Sequence, residues 1–396
     1  MTTLLPAFAG VLLLAVLISG PAHRTVLSTA ALFLLAGFVL GDGVLGVLHA
    51  EAGTGRLNLL AELALFAVLF TDGMRVGLPQ LRSAWRLPGR ALALGMPLTL
   101  VVTALLAHFV AGLGWPESFL VGAVLSPTDP VFAAAIVGRQ EIPGRLRHLL
   151  NVESGVNDGL ALPFVVVLLA VASAEPAHPA TLAAELGVGV LIGIGVSYIA
   201  IRLERLRIFR ASTVYEPLNA FAIGLLVLGL CQALHANLFL GAFSAGVTVA
   251  TAGEHQRESF EKFGEVVTEL LKLLALLVFG ALITPSFLLS IPWTGWAFAV
   301  LTLLLARPVA LAIALRWSKL SPREQAAAGW FGPKGFASVV YGILVLQSGA
   351  AQANQMFHLI ALVVALSMLA HSSTDVLVAR QFSEPEESPA RGDTVE

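Results

Sequence analysis

Apolar stretches close to twenty residues long recur along the whole chain, and few charged residues interrupt them. A helix needs about 20 mostly apolar residues to cross the hydrocarbon layer of a membrane. This recurrence therefore restricts the fold more than any single motif does. Of 396 residues, 57% are hydrophobic and 12% charged, against roughly 25% charged in a soluble domain. A water-soluble globule of this length cannot hide so much apolar surface, because much of its rim faces water. Composition excludes a cytosolic enzyme, a nucleic-acid binder and a disordered regulator. The net charge of −2 offers a polyanion no surface, and the single cysteine, Cys231, excludes a disulfide framework or a cysteine-ligated metal. The expectation is an all-α polytopic membrane protein. Lipid admits only helices or closed barrels, and these stretches lack the strict alternation of barrel strands.

The pattern predicts about 13 transmembrane helices, over residues 4–20, 25–41, 57–74, 90–112, 117–137, 149–173, 182–202, 215–234, 237–252, 263–284, 291–316, 324–348 and 355–379. The first lacks a basic leader, and Pro21-Ala22-His23 is a poor cleavage site, so it reads as a span. Lys and Arg accumulate in cytoplasmic loops. Basic residues cluster after the odd-numbered spans: Arg75, Arg82, Arg86 and Arg90 after the third, Arg139, Arg145 and Arg147 after the fifth, Arg316, Lys319 and Arg323 after the eleventh. The even-numbered loops are nearly free of them, Arg56 excepted. The alternation predicts an outside N-terminus and a cytoplasmic C-terminus. Residues 381–396 are short, polar and acidic, and read as a disordered cytoplasmic tail.

Three basic residues, Lys272, Arg307 and Lys334, fall inside spans, as do several acids, among them Glu62, Asp129, Glu153 and Asp158. Each is costly in hydrocarbon and is a functional candidate by default. Ser126-Pro127-Thr128-Asp129-Pro130 breaks the fifth span, since proline removes a backbone donor and clashes with the preceding turn. The opened turn frees carbonyls, and Thr128 and Asp129 add side-chain oxygens suited to a hard monovalent cation. A plain proline kink with Asp129 capping the second half-helix is compatible with this. Glu153, Asn157 and Asp158 occupy i, i+4 and i+5, which concentrates two carboxylates and an amide within two turns. Asp158 has no basic residue within reach on its own span. It must be protonated, bind a cation or find a distant partner, and a group with those options can exchange a proton for a metal ion.

Gly332-Pro333-Lys334-Gly335 breaks the twelfth span. Paired broken helices meet at the midplane in transporters built from inverted repeats. The expected organisation is a first repeat over 1–175, a connector helix at 182–202 and a second repeat over 215–380, six helices each, with the broken helices crossed. Lys334 reads as compensating the carbonyl ends of half-helices. Arg307 needs a carboxylate, and Glu62 and Glu153 are the candidates. Lys272 lies in the cytoplasmic half of the tenth span, where snorkelling suffices.

Together, Ser-Pro-Thr-Asp-Pro at 126–130, Glu-Ser-Gly-Val-Asn-Asp-Gly at 153–159 and Gly-Pro-Lys-Gly at 332–335 resemble the cation/proton antiporters of the NhaP and sodium/hydrogen-exchanger branch. Glu62 with Leu69-Phe70-Thr71-Asp72-Gly73-Met74 looks like that branch's third span, and Arg307-Pro308 like its eleventh. The resemblance covers roughly 5–380. It implies a secondary transporter, not an enzyme, with no cofactor, working as a homodimer. Spans 1–3 and 8–10 would dimerise, and spans 4–6 and 11–13 would form a mobile core. It implies that Asp158 carries the cation or the proton alternately, with Thr128, Asp129 and Ser154 as further ion-site oxygens. Asn157 would hold the crossing, and Glu62, Glu153 and Arg307 would form a stabilising network. Lys334 departs from the branch's usual arginine, and the short termini lack the regulatory tail of many relatives.

The expected activity is exchange of Na+ for H+ by alternating access. Asn157, a neutral amide beside Asp158, favours an electroneutral one-for-one exchange. A K+-selective antiporter or a passive cation pathway uses the same scaffold. An intramembrane aspartyl protease with Asp129 and Asp158 as its dyad is the alternative from another class. Alanine-, leucine- and arginine-rich usage with scarce lysine suggests a GC-rich bacterium and hence its inner membrane.

Overall fold

Where its residues are described, each apolar stretch falls on helix, and 324–348 falls on two half-helices. The computed structural model describes residues 3–22, 28–49, 55–75, 86–129, 142–173, 178–206, 215–380 and 382. The predicted end of the fifth span, with Pro130, and the predicted disordered tail at 383–396 lie outside the described residues. The helices are α1 (Leu4–Ala22), α2 (Thr29–Leu40), α3 (Gly55–Arg75), α4 (Pro88–Phe109), α5 (Trp115–Val124), α6 (Gly144–Ala172), α7 (Pro179–Glu204) and α8 (Glu216–Ala233). They continue with α9 (Leu238–Ala252), α10 (Glu254–Leu282), the short α11 (Pro285–Ser290), α12 (Trp293–Ala314), α13 (Pro322–Trp330), α14 (Phe336–Gln347) and α15 (Ala353–Arg380).

Local chemistry explains many of the starts. Ser28 accepts a hydrogen bond from Ala31 N, Asn237 from Leu240 N and Thr284 from Phe287 N, each satisfying an orphan donor of a first turn. Ser321 and Glu324 form a reciprocal capping box at α13. Among the described residues, α4, α6, α7, α12 and the first 22 residues of α15 are long and apolar enough to cross a membrane unaided.

α4 and α12 share an irregularity. Each holds a five-residue π-helical turn, at Ala91–Gly95 and Thr302–Ala306, followed two residues later by a proline, Pro97 and Pro308. A proline cannot donate to the turn before it and pushes away the carbonyl there, and a wider turn absorbs the misfit.

The helices pack as two bundles. In one, α3 and α7 lie along α9, α2 and α3 along α10, and α8 against α9 and α10. In the other, α5 packs on α4 and α6, α12 on α4 and α13, and α14 on α15. Fewer contacts join the two, chiefly α3 and α9 with α6, and α3 and α10 with α14. The candidate site lies along that seam.

Candidate functional site

The two breaks lie against each other and neutralise each other's ends. α5 stops at Val124 and leaves carbonyls unpaired, a region of partial negative charge. The Lys334 ammonium lies 3.5 Å from the carbonyl oxygens of both Ser126 and Pro127, and the Ser338 hydroxyl donates to Val124 O at 2.7 Å. α14 starts at Phe336 with the opposite need, for acceptors. Phe336 N donates to Asp129 Oδ2 at 3.0 Å, and Asp129 N donates to Pro333 O at 3.0 Å. Asp129 thus caps the half-helix of the opposite break. The glycines of the second break follow from this closeness: a Cβ on Gly335 would collide with the Asp129 side chain, and one on Gly332 with the Arg307 guanidinium.

α6 passes beside this crossing. Glu153 and Arg307 form a bidentate pair at 2.6 and 2.9 Å, both buried, with Arg307 Nε donating to Ala328 O at 3.3 Å. Glu62 is not part of this network. It lies ten residues before Asp72 on α3, about 15 Å along the axis, and is only half-buried. Among the described residues it makes no hydrogen bond or ion pair. One turn beyond Glu153, Asn157 Nδ2 donates to Thr128 Oγ1 at 2.7 Å, and the hydroxyls of Thr128 and Ser154 stand 3.2 Å apart. This buried trio ties the first break to α6.

Asp158 stands apart from these bonds. It is 4% exposed, and among the described residues its carboxylate has no hydrogen-bond or ion-pair partner. Its backbone carbonyl accepts from the Tyr341 hydroxyl at 3.1 Å, which fixes α6 to α14. The side chain lines a cavity of about 40 Å³, shared with Val68, Thr71, Asp72, Arg75, Asp129, Glu265, Thr268, Glu269 and Lys272. That volume holds one to about three waters. Thr128 and Ser154 do not line it. Among the described residues no three His, Cys, Asp or Glu side chains converge as a metal-chelating cluster. The carboxylates are spread around the cavity rather than closed into a cage.

Two lining residues carry more weight than the sequence suggested. In the sequence Asp72, three residues from Arg75, is only part of the third-span motif and has no role of its own. It is 2% exposed, one oxygen takes Arg75 at 3.3 Å, and the other is buried without a partner among the described residues. Lys272 was expected to snorkel outward. It is instead 5% exposed, lines the cavity and pairs with Glu269 at 2.7 Å. The available signal was the stripe Glu265, Thr268, Glu269 and Lys272, which repeats at helical spacing within an apolar helix.

Comparison with known proteins matches residues 10–380 to the family described as sodium/hydrogen exchanger, transmembrane. The chain belongs to the sodium/hydrogen exchanger family. It is a multi-pass membrane protein of a family of transporters, with the NhaP-like fold. A relative from Shewanella sp. (strain ANA-3), named K(+)/H(+) antiporter NhaP2, is 28% identical over 378 residues, covering 92% of this chain and 64% of its own length. K(+)/H(+) antiporter NhaP of Alkalimonas amylolytica is 26% identical over 359 residues, covering 87% of this chain and 62% of its own length. The chain thus spans less than two thirds of those relatives. Among solved structures, the sodium proton antiporter MjNhaP1 of Methanocaldococcus jannaschii superimposes with a TM-score of 0.79 at 17% identity, covering 97% of this chain and 99% of that one. This likeness shows the fold. The aspartyl protease reading finds no support: one oxygen of Asp129 is committed to capping α14, and the family is one of exchangers.

Proposed function

We propose that the protein is a secondary antiporter that exchanges a monovalent cation for a proton at Asp158. One observation carries this reading: a carboxylate in the middle of an apolar helix, 4% exposed and without a partner among the described residues, faces a small cavity. An isolated ionised carboxylate is expensive to bury. Loaded with a proton or a cation it is close to neutral. A core that moves only when loaded couples the two fluxes. Asp129 is the second carboxylate at the cation, and Asp72, which lines the same cavity and has one buried oxygen without a partner among the described residues, supplies a further acceptor. Thr128 and Ser154 hold the crossing in register, Glu153 and Arg307 brace it, and Lys334 neutralises the end of α5.

Two inverted repeats, 1–175 and 215–380, with a connector at 182–202, account for this arrangement. The reciprocal breaks support it, as do the matching π-turns of α4 and α12, which fall at equivalent places if spans 1–6 and 8–13 are the repeats. The bundle of α4–α6 and α12–α15 is then the moving core. The chain works as a homodimer in a bacterial inner membrane, with its N-terminus outside. The amide Asn157 next to Asp158 supports one-for-one exchange. Na+ is the cation expected from the sequence. The names of the relatives spanning most of the chain favour a second reading, K+.

The test is dissipation of a pH gradient in proteoliposomes by Na+, Li+ and K+. The wild type responds to at least one of them. Asp158→Asn responds to none while keeping its elution volume and thermal transition. Exchange in Asp158→Asn at the wild-type rate would remove Asp158 from the mechanism.

A further inference from the structure

The cavity beside Asp158 has a wall whose chemistry the exchange itself does not require. α10 supplies Glu265, Thr268, Glu269 and Lys272, one stripe of a helix that belongs to the bundle opposite the core. Five carboxylates line the cavity (Asp72, Asp129, Asp158, Glu265 and Glu269) against two cationic side chains. Arg75 is taken up at the rim by Asp72 at 3.3 Å and Glu265 at 2.9 Å. Lys272 is the other. Its side chain is 6% exposed, whereas its partner Glu269 is 39% exposed. Glu269 therefore draws the ammonium toward the rim, and the lysine stem keeps it inside.

We propose that Lys272 is a tethered competitor for the transported cation, setting how tightly the Asp158 cavity holds a monovalent ion. This rests on the exchange reading above. An ammonium carries the unit charge of an alkali ion and donates to the same oxygens. It lowers the negative potential of the cavity and repels an ion that enters. A transport site must bind well enough to load and weakly enough to release. Five carboxylates without an internal cation would hold the ion too well to let it go. Glu269 tunes the competitor: the more firmly it holds the ammonium at the rim, the less the ammonium opposes the ion.

The experiment measures the half-saturating Na+ and K+ concentrations for dissipating a pH gradient, at one alkaline pH, with the full chain in proteoliposomes. Lys272→Gln lowers the half-saturating concentration of the transported ion by about three- to tenfold, the scale of one unit charge removed from a partly screened site. Lys272→Arg, which keeps the charge, stays close to the wild type. Glu269→Gln, which frees the ammonium toward the cavity, raises the concentration. Lys272→Gln at the wild-type value, or Lys272→Arg shifted as far as Lys272→Gln, would overturn the proposal. Should Lys272→Gln fail to fold, Glu269→Gln decides alone, and a half-saturation equal to or below the wild type overturns it. A wild type that responds to no cation would overturn the exchange reading and this proposal with it. A wild type that exchanges while Lys272→Gln shows no shift overturns only this proposal.

Discussion

Glu153 and Asp158 lie five residues apart on α6, about 140° round the helix, and both are buried. Glu153 faces Arg307 in a bidentate pair with both oxygens used. Asp158 faces a cavity with neither oxygen bonded among the described residues. The difference separates structure from transport. A paired buried carboxylate is fixed in its charged state, because removing its partner strands a charge in a low-dielectric interior. An unpaired one can change its load. On the proposed exchange reading, a single helix carries a brace on one face and a seat on the other, with the hydrogen-bonded trio of Thr128, Ser154 and Asn157 between them.

Substitutions separate the two faces. The largest effect falls on Asp158, where Asn abolishes cation-dependent flux and leaves the thermal transition near its wild-type position. Glu153→Gln should do the reverse: it strands the Arg307 charge, costs about 3–5 kcal/mol of stability and shows as a lowered melting temperature in detergent. Replacing both partners, as Glu153→Leu with Arg307→Leu, should recover part of that loss, since an apolar pair leaves no stranded charge. If the double variant melts lower than either single one, the pair is more than a brace. Tyr341→Phe removes one hydrogen bond to the backbone of α6 and should cost about 0.5–1.5 kcal/mol, without changing which cation is transported. The smallest effect belongs to Arg145→Ala. Arg145 holds Glu324 at 2.6 Å near the start of α13 and is half exposed, so its loss should lower stability by at most about 1 kcal/mol.

The brace was more legible in the sequence than the cavity. Arg307 in an apolar stretch demands a carboxylate, and Glu153 was one of two candidates. The breaks were legible too, because Pro127 and Pro333 interrupt apolar runs and so leave helix ends to be neutralised. From the sequence Asp129 caps the second half of its own span, which lies outside the described residues; its cap on α14, 207 residues away, is a tertiary contact. Asp72 and Lys272 were missed for one reason. Hydropathy says that a residue lies in a span, but not which way it faces. Lys272 reads as snorkelling from the cytoplasmic half of its span, and Asp72 reads only as part of the third-span motif. Only the packing of α3 against α6, and of α10 against α3 and α14, turns them inward. Glu62 shows the converse, an acid in the same helix as Asp72 and about three turns too far from the site.

The account stands on one carboxylate serving a proton and an alkali ion in turn. The most direct measurement is the half-saturating cation concentration of reconstituted wild-type protein at a series of pH values. Competition for Asp158 predicts that it climbs by about tenfold for each unit of acidification once protons occupy the site, as displacement of one proton by one cation requires, while the maximal rate holds steady. A half-saturating concentration that stays flat as pH falls would mean that the two ions occupy different seats.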